Sequence, residues 1–264
     1  MCPLDAAAMK TALAIAAHPD DIEFFMAGTL ILLSRAGYEV HYWNLANGCC
    51  GTSEYDVDTI ARLRREEAKS AADQIGAVFH ESICNDLAIF YDQATLAQIA
   101  SVMRSVSPDI LLTHSPSDYM EDHMTTCRLA VTAAFSRGMC NFPVDPPRDP
   151  VTNTVTIYHA QPYSHRDPLR QLVHPDLFVN VTEIIDGKVD MLARHQTQKK
   201  WLDESQGHDS YLQKLRDLDA EAGRMSGKFT YAEGWRRHLH LGFCGPHDDP
   251  LRELGDNVYQ PSRP

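Results

Sequence analysis

Short apolar segments alternate with helix-like segments along the first half of the chain, and few folds accept such an alternation. Each apolar run has the length of a strand and is followed by a longer segment whose apolar residues have helical spacing. Strands that alternate with helices in this way form parallel sheets with crossover helices. The predicted strands span residues 12–17, 40–46, 78–83 and 109–113. The predicted helices span residues 22–36, 96–106, 122–137 and a segment that begins at an Asp58 or Thr59 cap and ends before Gly76.

The second half continues the pattern after a loop at residues 141–153 that is rich in Pro and Asp. Further strands are predicted at 155–159 and 177–181, and helices at 182–201 and 211–224. We expect residues 194–198 on the solvated face of their helix, and the tail after Cys244 on the surface. The sequence therefore predicts an α/β fold in one domain over residues 1–264. Its core lies at about residues 10–140, and a C-terminal elaboration lies at about residues 150–245.

The charge balance restricts the partners. The chain has 24 Lys and Arg against 36 Asp and Glu, a formal net charge of −12. This acidic balance argues against sequence-independent binding to nucleic acid and against an anionic membrane surface. The longest apolar run, residues 24–33, is shorter than the ~20 residues of a membrane span. Only a short apolar run follows Lys10, so we expect neither a secretory signal nor membrane insertion.

The seven cysteines indicate a reduced compartment. No two of them have C-x-x-C spacing, which argues against a structural zinc knuckle. A cytoplasmic protein with free thiols is therefore expected. Cys49 and Cys50 are adjacent in a glycine-rich turn, and their role stays open.

Two polar clusters follow the first and the fourth predicted strands. His18-Pro19-Asp20-Asp21 comes directly after the first strand, and residues 115–123 (SPSDYMEDH) come after the fourth. In the common strand order 3-2-1-4-5 these two strands are neighbours, and ligands bind beyond the carboxyl ends of the strands. The two clusters are therefore predicted to face each other across one site.

The residue types in these clusters suit a metal. His18 and Asp21 are three residues apart at the start of a helix, and His123 can supply a third ligand. Two histidines and a carboxylate with an open position are typical of catalytic zinc, but the same trio also suits Fe²⁺. Asp20 then lies beside the metal, where a general base is needed.

Several segments resemble the PIG-L/LmbE-like family of zinc-dependent N-deacetylases. Residues 17–23 (AHPDDIE) look like the family signature A-H-P-D-D-x-E, and residues 113–123 resemble its second metal segment. Weaker similarities lie at residues 47–52, at 64–68 (RREEA) and at 231–233 (YAE). The resemblance covers roughly the first 140 residues.

The resemblance implies a Rossmann-like three-layer sandwich with a mostly parallel sheet and an enzyme that removes N-acetyl groups from N-acetylglucosamine-type sugars. It implies His18, Asp21 and His123 as zinc ligands, and Asp20 as the base that activates a metal-bound water. It further suggests Arg64 and Asp86 as sugar-binding groups. Family members are commonly homo-oligomers, so a homo-oligomer with a small amino-sugar substrate is expected.

One position departs from the family. The usual second motif reads H-P-D-H, whereas this chain has Met120 in place of the first histidine. Methionine cannot donate a proton. We hypothesise that His240 or His238 supplies the missing acid, because the alternation H-L-H would put both on one face of a strand.

Other functions stay open at this point. The chain could hydrolyse a different N-acylated conjugate, or it could be a non-catalytic carbohydrate-binding protein in which Met120 marks lost chemistry. A dinucleotide-binding enzyme is disfavoured because no G-x-G-x-x-G follows the first strand.

Overall fold

An eight-stranded mixed sheet forms the centre of the computed structural model, which describes residues 9–206 and 211–261 and their side chains except at 203–206. Cys2 lies outside the described residues. The strands are β1 (Thr11–Ala16), β2 (Glu39–Asn44), β3 (Val78–His80), β4 (Ile110–Thr113), β5 (Thr156–Ala160), β6 (Leu177–Asn180), β7 (Ala232–Arg237) and β8 (Val258–Tyr259). Their order in the sheet is β3-β2-β1-β4-β5-β7-β6-β8.

The first five strands are parallel, with β1 between β2 and β4. Ala14 of β1 lies opposite Tyr42 of β2 and Leu112 of β4. Every residue of β1 after Thr11 is buried, as expected for a strand covered on both faces. The prediction that the first and fourth strands are neighbours is confirmed.

Helices cover both faces of the sheet. They are α1 (Asp21–Phe25), α2 (Ala27–Arg35), α3 (Val57–Asp73), α4 (Gln93–Val106), α5 (Glu121–Ser136), α6 (Ile185–Leu192), α7 (Gln196–Gln206) and α8 (Tyr211–Ser226). Helices α1 to α3 contribute to the core on one face, and α4 and α5 contribute to the core on the other. Helices α6 and α8 pack outside α2 in a third apolar cluster. The α/β sandwich with a mostly parallel sheet is therefore confirmed, and no helix in residues 9–206 or 211–261 is long and apolar enough to cross a bilayer.

Some helix boundaries differ from the predicted ones. The segment 22–36 is two helices, because Met26 leaves helical geometry with φ −138° and ψ −19°. The cap of α3 is Asp56, whose side chain accepts the N–H of Thr59, and neither Asp58 nor Thr59 is the cap. The segment 182–201 contains a 3-10 turn followed by α6 and α7, with a break at residues 193–195.

The last three strands form an antiparallel edge. β7 pairs antiparallel with β5 and with β6, and β8 pairs antiparallel with β6. Because β7 ends at Arg237, His238 and His240 lie beyond it, and the prediction that they alternate within a strand is wrong. The tail after Cys244 also differs from a plain surface segment, since Leu251 in the 3-10 helix Pro250–Asn257 is completely buried.

Candidate metal centre

The polar clusters that follow β1 and β4 meet at one edge of the sheet. The two strands are parallel neighbours, so their carboxyl ends open on the same side. After β1 the chain turns at once into α1, which carries Asp21 at its start. After β4 a loop runs from His114 to Met120, and α5 then presents His123 in its first turn.

His18, Asp21 and His123 form a compact triangle. One ligand atom from each lies within 4.8 Å of the others. Asp21 Oδ2 is 3.4 Å from His18 Nδ1, and Asp21 Oδ1 is 3.3 Å from His123 Nε2. The three side chains predicted from sequence are thus brought together as a group that is able to bind a metal ion.

Two further carboxylates orient the histidines. His18 Nε2–H donates to Asp122 Oδ2 at 2.9 Å, and His123 Nδ1–H donates to Asp118 Oδ1 at 3.0 Å. This leaves Nδ1 of His18 and Nε2 of His123 as the ligating atoms, the arrangement that outer carboxylates impose in metal sites. The buried Nε2 of His123 has no hydrogen-bond partner among the described residues, so the donor set fits a cation.

The electrostatics of the triangle also favour a cation. Burial opposes a charged imidazole at both histidines, but the neighbouring carboxylates outweigh it. Hydrogen bonds from His18 to Asp122 and Asp21 raise its pKa to about 10. Asp21 and Asp118 raise the pKa of His123 to about 9. Burial works against ionisation of Asp21, yet His123 and His114 hold its pKa well below the usual range. The site therefore attracts positive charge strongly.

Asp20 faces a different set of partners from its neighbour Asp21. Its φ of 109° lies in the region that residues other than glycine rarely adopt. The Tyr211 hydroxyl of α8 donates to Asp20 Oδ2 at 2.6 Å. Burial and the Asp21 charge raise the pKa of Asp20 to about 6, although His195, Tyr211 and Arg64 act in the opposite direction. A carboxylate with a pKa near neutrality suits a general base.

Sequence reasoning missed the second layer of side chains behind Asp20. His195 is only 1% exposed, so the expectation that residues 194–198 lie on a solvated face is wrong for this residue. Its Nε2 lies 3.3 Å from Glu23 Oε2, and the same carboxylate accepts the Tyr42 hydroxyl at 3.0 Å. Glu23 belongs to the AHPDDIE segment and is completely buried, but no local sequence signal identifies His195 as its partner.

His114 is a second residue that sequence reasoning missed. It directly follows β4, and its ring stacks on that of His123 with the centroids 4.1 Å apart. Its Nε2 accepts the N–H of Ala17 at 2.9 Å, so the lone pair of that nitrogen is already used. His114 therefore packs against the ligand triangle rather than extending it.

Arg64 and Asp86 lie on either side of one glycine-rich turn. Both carboxylate oxygens of Asp86 accept backbone N–H groups, from Gly48 at 2.7 Å and from Cys50 at 2.9 Å. Arg64 is 3% exposed and donates to the carbonyl oxygen of Gly51 at 3.1 Å. A side chain at Gly48 would meet Arg64 Cδ at 2.1 Å, which explains the glycine.

His240 is not brought to the ligand triangle. It lines a separate cavity of about 350 Å³, and His18, Asp21 and His123 are absent from its lining. His238 lines the same cavity, and its Nδ1 forms a hydrogen bond of 2.9 Å with Nε2 of His159. Met120 immediately precedes α5 and is half-buried.

The sequence model of the PIG-L family, described as GlcNAc-PI de-N-acetylase, matches residues 13–135. This span contains all three ligands and Asp20. Over these residues the chain is similar to the PIG-L family. Two relatives extend the match beyond the span. The diacetylchitobiose deacetylase of Thermococcus kodakarensis is 28% identical over 238 residues, covering 86% of this chain and 83% of the relative. The 4-oxalmesaconate hydratase of Pseudomonas putida is 29% identical over 187 residues, covering 68% and 70%.

A solved structure that resembles this chain is also named as a hydratase. The 4-carboxy-2-hydroxymuconate hydratase GalB from Pseudomonas putida superposes with a TM-score of 0.71 and 26% identity. The superposition covers 87% of this chain and 96% of GalB. The chain is therefore similar in fold to a protein named as a hydratase and similar in sequence to a protein named as a deacetylase.

Proposed function

We propose that this protein is a metal-dependent hydrolase that removes an N-acetyl or other N-acyl group from an amino sugar or an N-acetylglucosamine-containing conjugate. The observation that carries the proposal is the unpartnered Nε2 of His123 beside Asp21, next to a buried Asp20 whose pKa is raised to about 6. A cation site and a general base then lie side by side, as amide hydrolysis by water requires.

His18, Asp21 and His123 would hold the ion, which we expect to be Zn²⁺, with Fe²⁺ as the alternative. A divalent ion held there would supply a water molecule of lowered pKa and a Lewis acid for the acyl carbonyl. The outer carboxylates of Asp118 and Asp122 keep both imidazoles in the ligating orientation.

Asp20 moves the proton. Tyr211 occupies Oδ2, so the proton taken from the attacking water goes to Oδ1. Once protonated, Asp20 can return the proton to the departing amine. The Tyr211 hydrogen bond holds the carboxylate still during both transfers.

The second proton donor stays a prediction. Met120 cannot fill this role, and His240 remains the candidate that sequence reasoning offered. Since His240 lines a different cavity of its own chain, it would serve through a second copy, in line with the expected homo-oligomer. Loss of the basic limb of the pH–rate profile in His240→Ala would support this role, and an unchanged profile would exclude it.

Arg64 and Asp86 are proposed to shape the sugar pocket, because both side chains hold the glycine-rich turn that lies between them.

A second candidate is hydration of an unsaturated carboxylic acid. The hydratase of Pseudomonas putida and GalB, at 29% and 26% identity, favour it, and the same metal and base would activate water for addition to a C=C bond. Met120, which stands where the deacetylase motif has histidine, is compatible with a reaction that releases no amine.

One experiment separates these functions. We would measure metal content by elemental analysis and assay acetate release from N-acetylglucosamine and diacetylchitobiose, and loss of ultraviolet absorbance from conjugated enoic acids. The variants are His123→Ala and the control His174→Ala, which changes an exposed histidine. Acetate release that disappears with the metal in His123→Ala supports the deacetylase, and loss of enoic absorbance supports the hydratase. Retained metal without either activity would favour a carbohydrate-binding protein.

A further inference from the structure

Two neighbouring loops bring a pair of cysteines and a carboxylate together at the same edge of the sheet. The turn after β2 carries Cys49 and Cys50, and the loop after β3 carries Asp86. The two loops are joined at their base, where Ala46 forms a parallel bridge with Cys84. This cluster shares no ligand with the His18, Asp21 and His123 triangle.

The sulfur atoms already have the separation of two metal ligands. Cys49 Sγ and Cys50 Sγ are 3.9 Å apart. Two thiolates bound to one tetrahedral zinc at ~2.3 Å each lie about 3.8 Å from one another. A disulfide would require about 2.05 Å, so the observed pair is a reduced dithiol.

Asp86 is fixed in place to act as a third ligand. Its two oxygens accept the N–H groups of Gly48 and Cys50, which belong to the same turn as the thiols. One ligand atom from each of Cys49, Cys50 and Asp86 lies within 4.8 Å of the others. Each carboxylate oxygen retains a second lone pair for a cation.

We propose that Cys49, Cys50 and Asp86 form a second metal site, which takes a thiophilic divalent cation such as Zn²⁺ or Cd²⁺ and releases the two thiol protons. Cys49 is buried and anchors the site, whereas the exposed Cys50 gives the ion a path from solvent. The fourth position stays open to water. Two sulfurs select soft cations over Mg²⁺ or Ca²⁺.

A cation at this site would tie the two loops together next to the first metal centre. The N–H of Leu87, the residue after Asp86, donates to Asp122 Oδ2, which also accepts from His18. On the other side of the turn, Gly51 holds the buried Arg64. The expected effect is a higher melting temperature in the presence of the ion.

The test is a titration of reduced, metal-free protein with Cd²⁺, followed by the ultraviolet absorption of thiolate-to-metal charge transfer and by elemental analysis. The first centre has no sulfur ligand, so among the metal-binding groups of residues 9–206 and 211–261 only the second site gives this absorption. We expect about two Cd²⁺ per wild-type chain. Cys50→Ser should lose one ion, the charge-transfer band and the thermal shift. The matched control Cys140→Ser, which changes another exposed cysteine, should retain all three.

Cys49→Ser is the second variant, and far-ultraviolet circular dichroism checks that both variants fold. A band that survives in Cys50→Ser and in Cys49→Ser, or a wild-type chain without the band, would overturn the second site. These outcomes are independent of the catalytic proposal, because neither depends on turnover or on a metal at His123.

Discussion

At the scale of single residues, the adjacent carboxylates of Asp20 and Asp21 have different proposed roles, Asp21 as a metal ligand and Asp20 as a base. Asp21 is the first residue of α1 and points at both histidines, whereas Asp20 has φ 109° and bonds Tyr211. A left-handed backbone at a residue other than glycine costs on the order of 1–3 kcal/mol. The surrounding contacts outweigh this cost, and the result is a ligand and a base in consecutive positions.

Tyr211→Phe tests whether the Tyr211 hydroxyl controls the pKa of Asp20, the proposed base. The hydroxyl hydrogen bond stabilises the Asp20 carboxylate, so its removal should raise the pKa of Asp20 above about 6. The base acts when ionised, so the acidic limb of the kcat/KM profile should move to higher pH, by about one unit. Tyr163→Phe is the control, because Tyr163 packs against the same Phe24 ring and its hydroxyl does not bond Asp20 in the described structure. Equal profiles for the two variants would contradict a role for the Tyr211 hydrogen bond.

Met120→His tests which reaction the site performs. If the chain is a deacetylase in which Asp20 alone returns a proton to the amine, a histidine at this position should supply a second donor and raise kcat for acetate release about tenfold or more. Met124→His, one turn further along α5 at another half-buried methionine, is the matched control. An increase confined to Met120→His supports amide hydrolysis. No change would mean that another group already supplies the proton or that the reaction releases no amine.

At the scale of secondary structure, the N-terminus of α2 is capped by a carboxylate from a strand that is distant in sequence. Glu233 of β7 accepts the N–H groups of Gly28 and Thr29 at 2.7 and 2.8 Å, which belong to the first turn of α2, where N–H groups have no partner within the helix. It also pairs with Lys188 Nζ of α6 at 2.8 Å, and all these groups are buried. Negative charge at a helix N-terminus is favourable, so the antiparallel edge of the sheet stabilises the helix that follows the metal loop.

Glu233→Gln should therefore destabilise the protein strongly. Among the described side chains it leaves Lys188 with one carboxylate partner, Asp219, and it removes the charge from the start of α2. Breaking a buried ion pair costs about 3–5 kcal/mol of unfolding free energy. Glu66→Gln is the control, because its pair with Arg62 is exposed and contributes about 0–1 kcal/mol. Urea unfolding measures both, and a similar small change in the two variants would refute the helix-cap interpretation.

The sequence predicted elements that depend on local pattern and missed those that depend on distant contacts. Strand β1 and the loops after β1 and β4 follow from apolar runs that end in polar clusters, and the ligand triangle follows from them. The sequence did not predict the break at residues 193–195. These three residues include no Pro or Gly, and helical periodicity alone predicts a continuous helix through them. His195 turns inward at that break to meet Glu23, 172 positions earlier in the chain, and no local signal reports such a contact.

At the scale of the whole molecule, one histidine joins the two parts of the sheet. His159 of β5 lies between the parallel strands and the antiparallel edge, opposite Arg236 of β7. Its Nδ1–H donates to the carbonyl oxygen of His114 at 2.9 Å, in the loop beside the metal centre. Its Nε2 then accepts from His238 Nδ1 at 2.9 Å, on the far side. Protonation of His159 would remove the acceptor role of its Nε2 towards His238 and would place a positive charge in this buried junction.

Acid should therefore weaken the junction before it affects the rest of the sheet. Burial, aided by the nearby charges, lowers the pKa of His159 to about 4. The unfolded chain, with a histidine pKa near 6.5, binds the proton more readily, so the stabilisation is present above pH 6.5 and is lost as pH falls towards 4. The loss is on the order of 3 kcal/mol. His159→Gln should lower the unfolding free energy at neutral pH and flatten its decline between pH 6.5 and 4 in urea titrations. The exposed His174→Gln variant should keep the wild-type slope. If the curve of His159→Gln runs parallel to that of the wild type, acid acts elsewhere, and the backbone pairing of β5 with β7 holds the junction without help from this histidine.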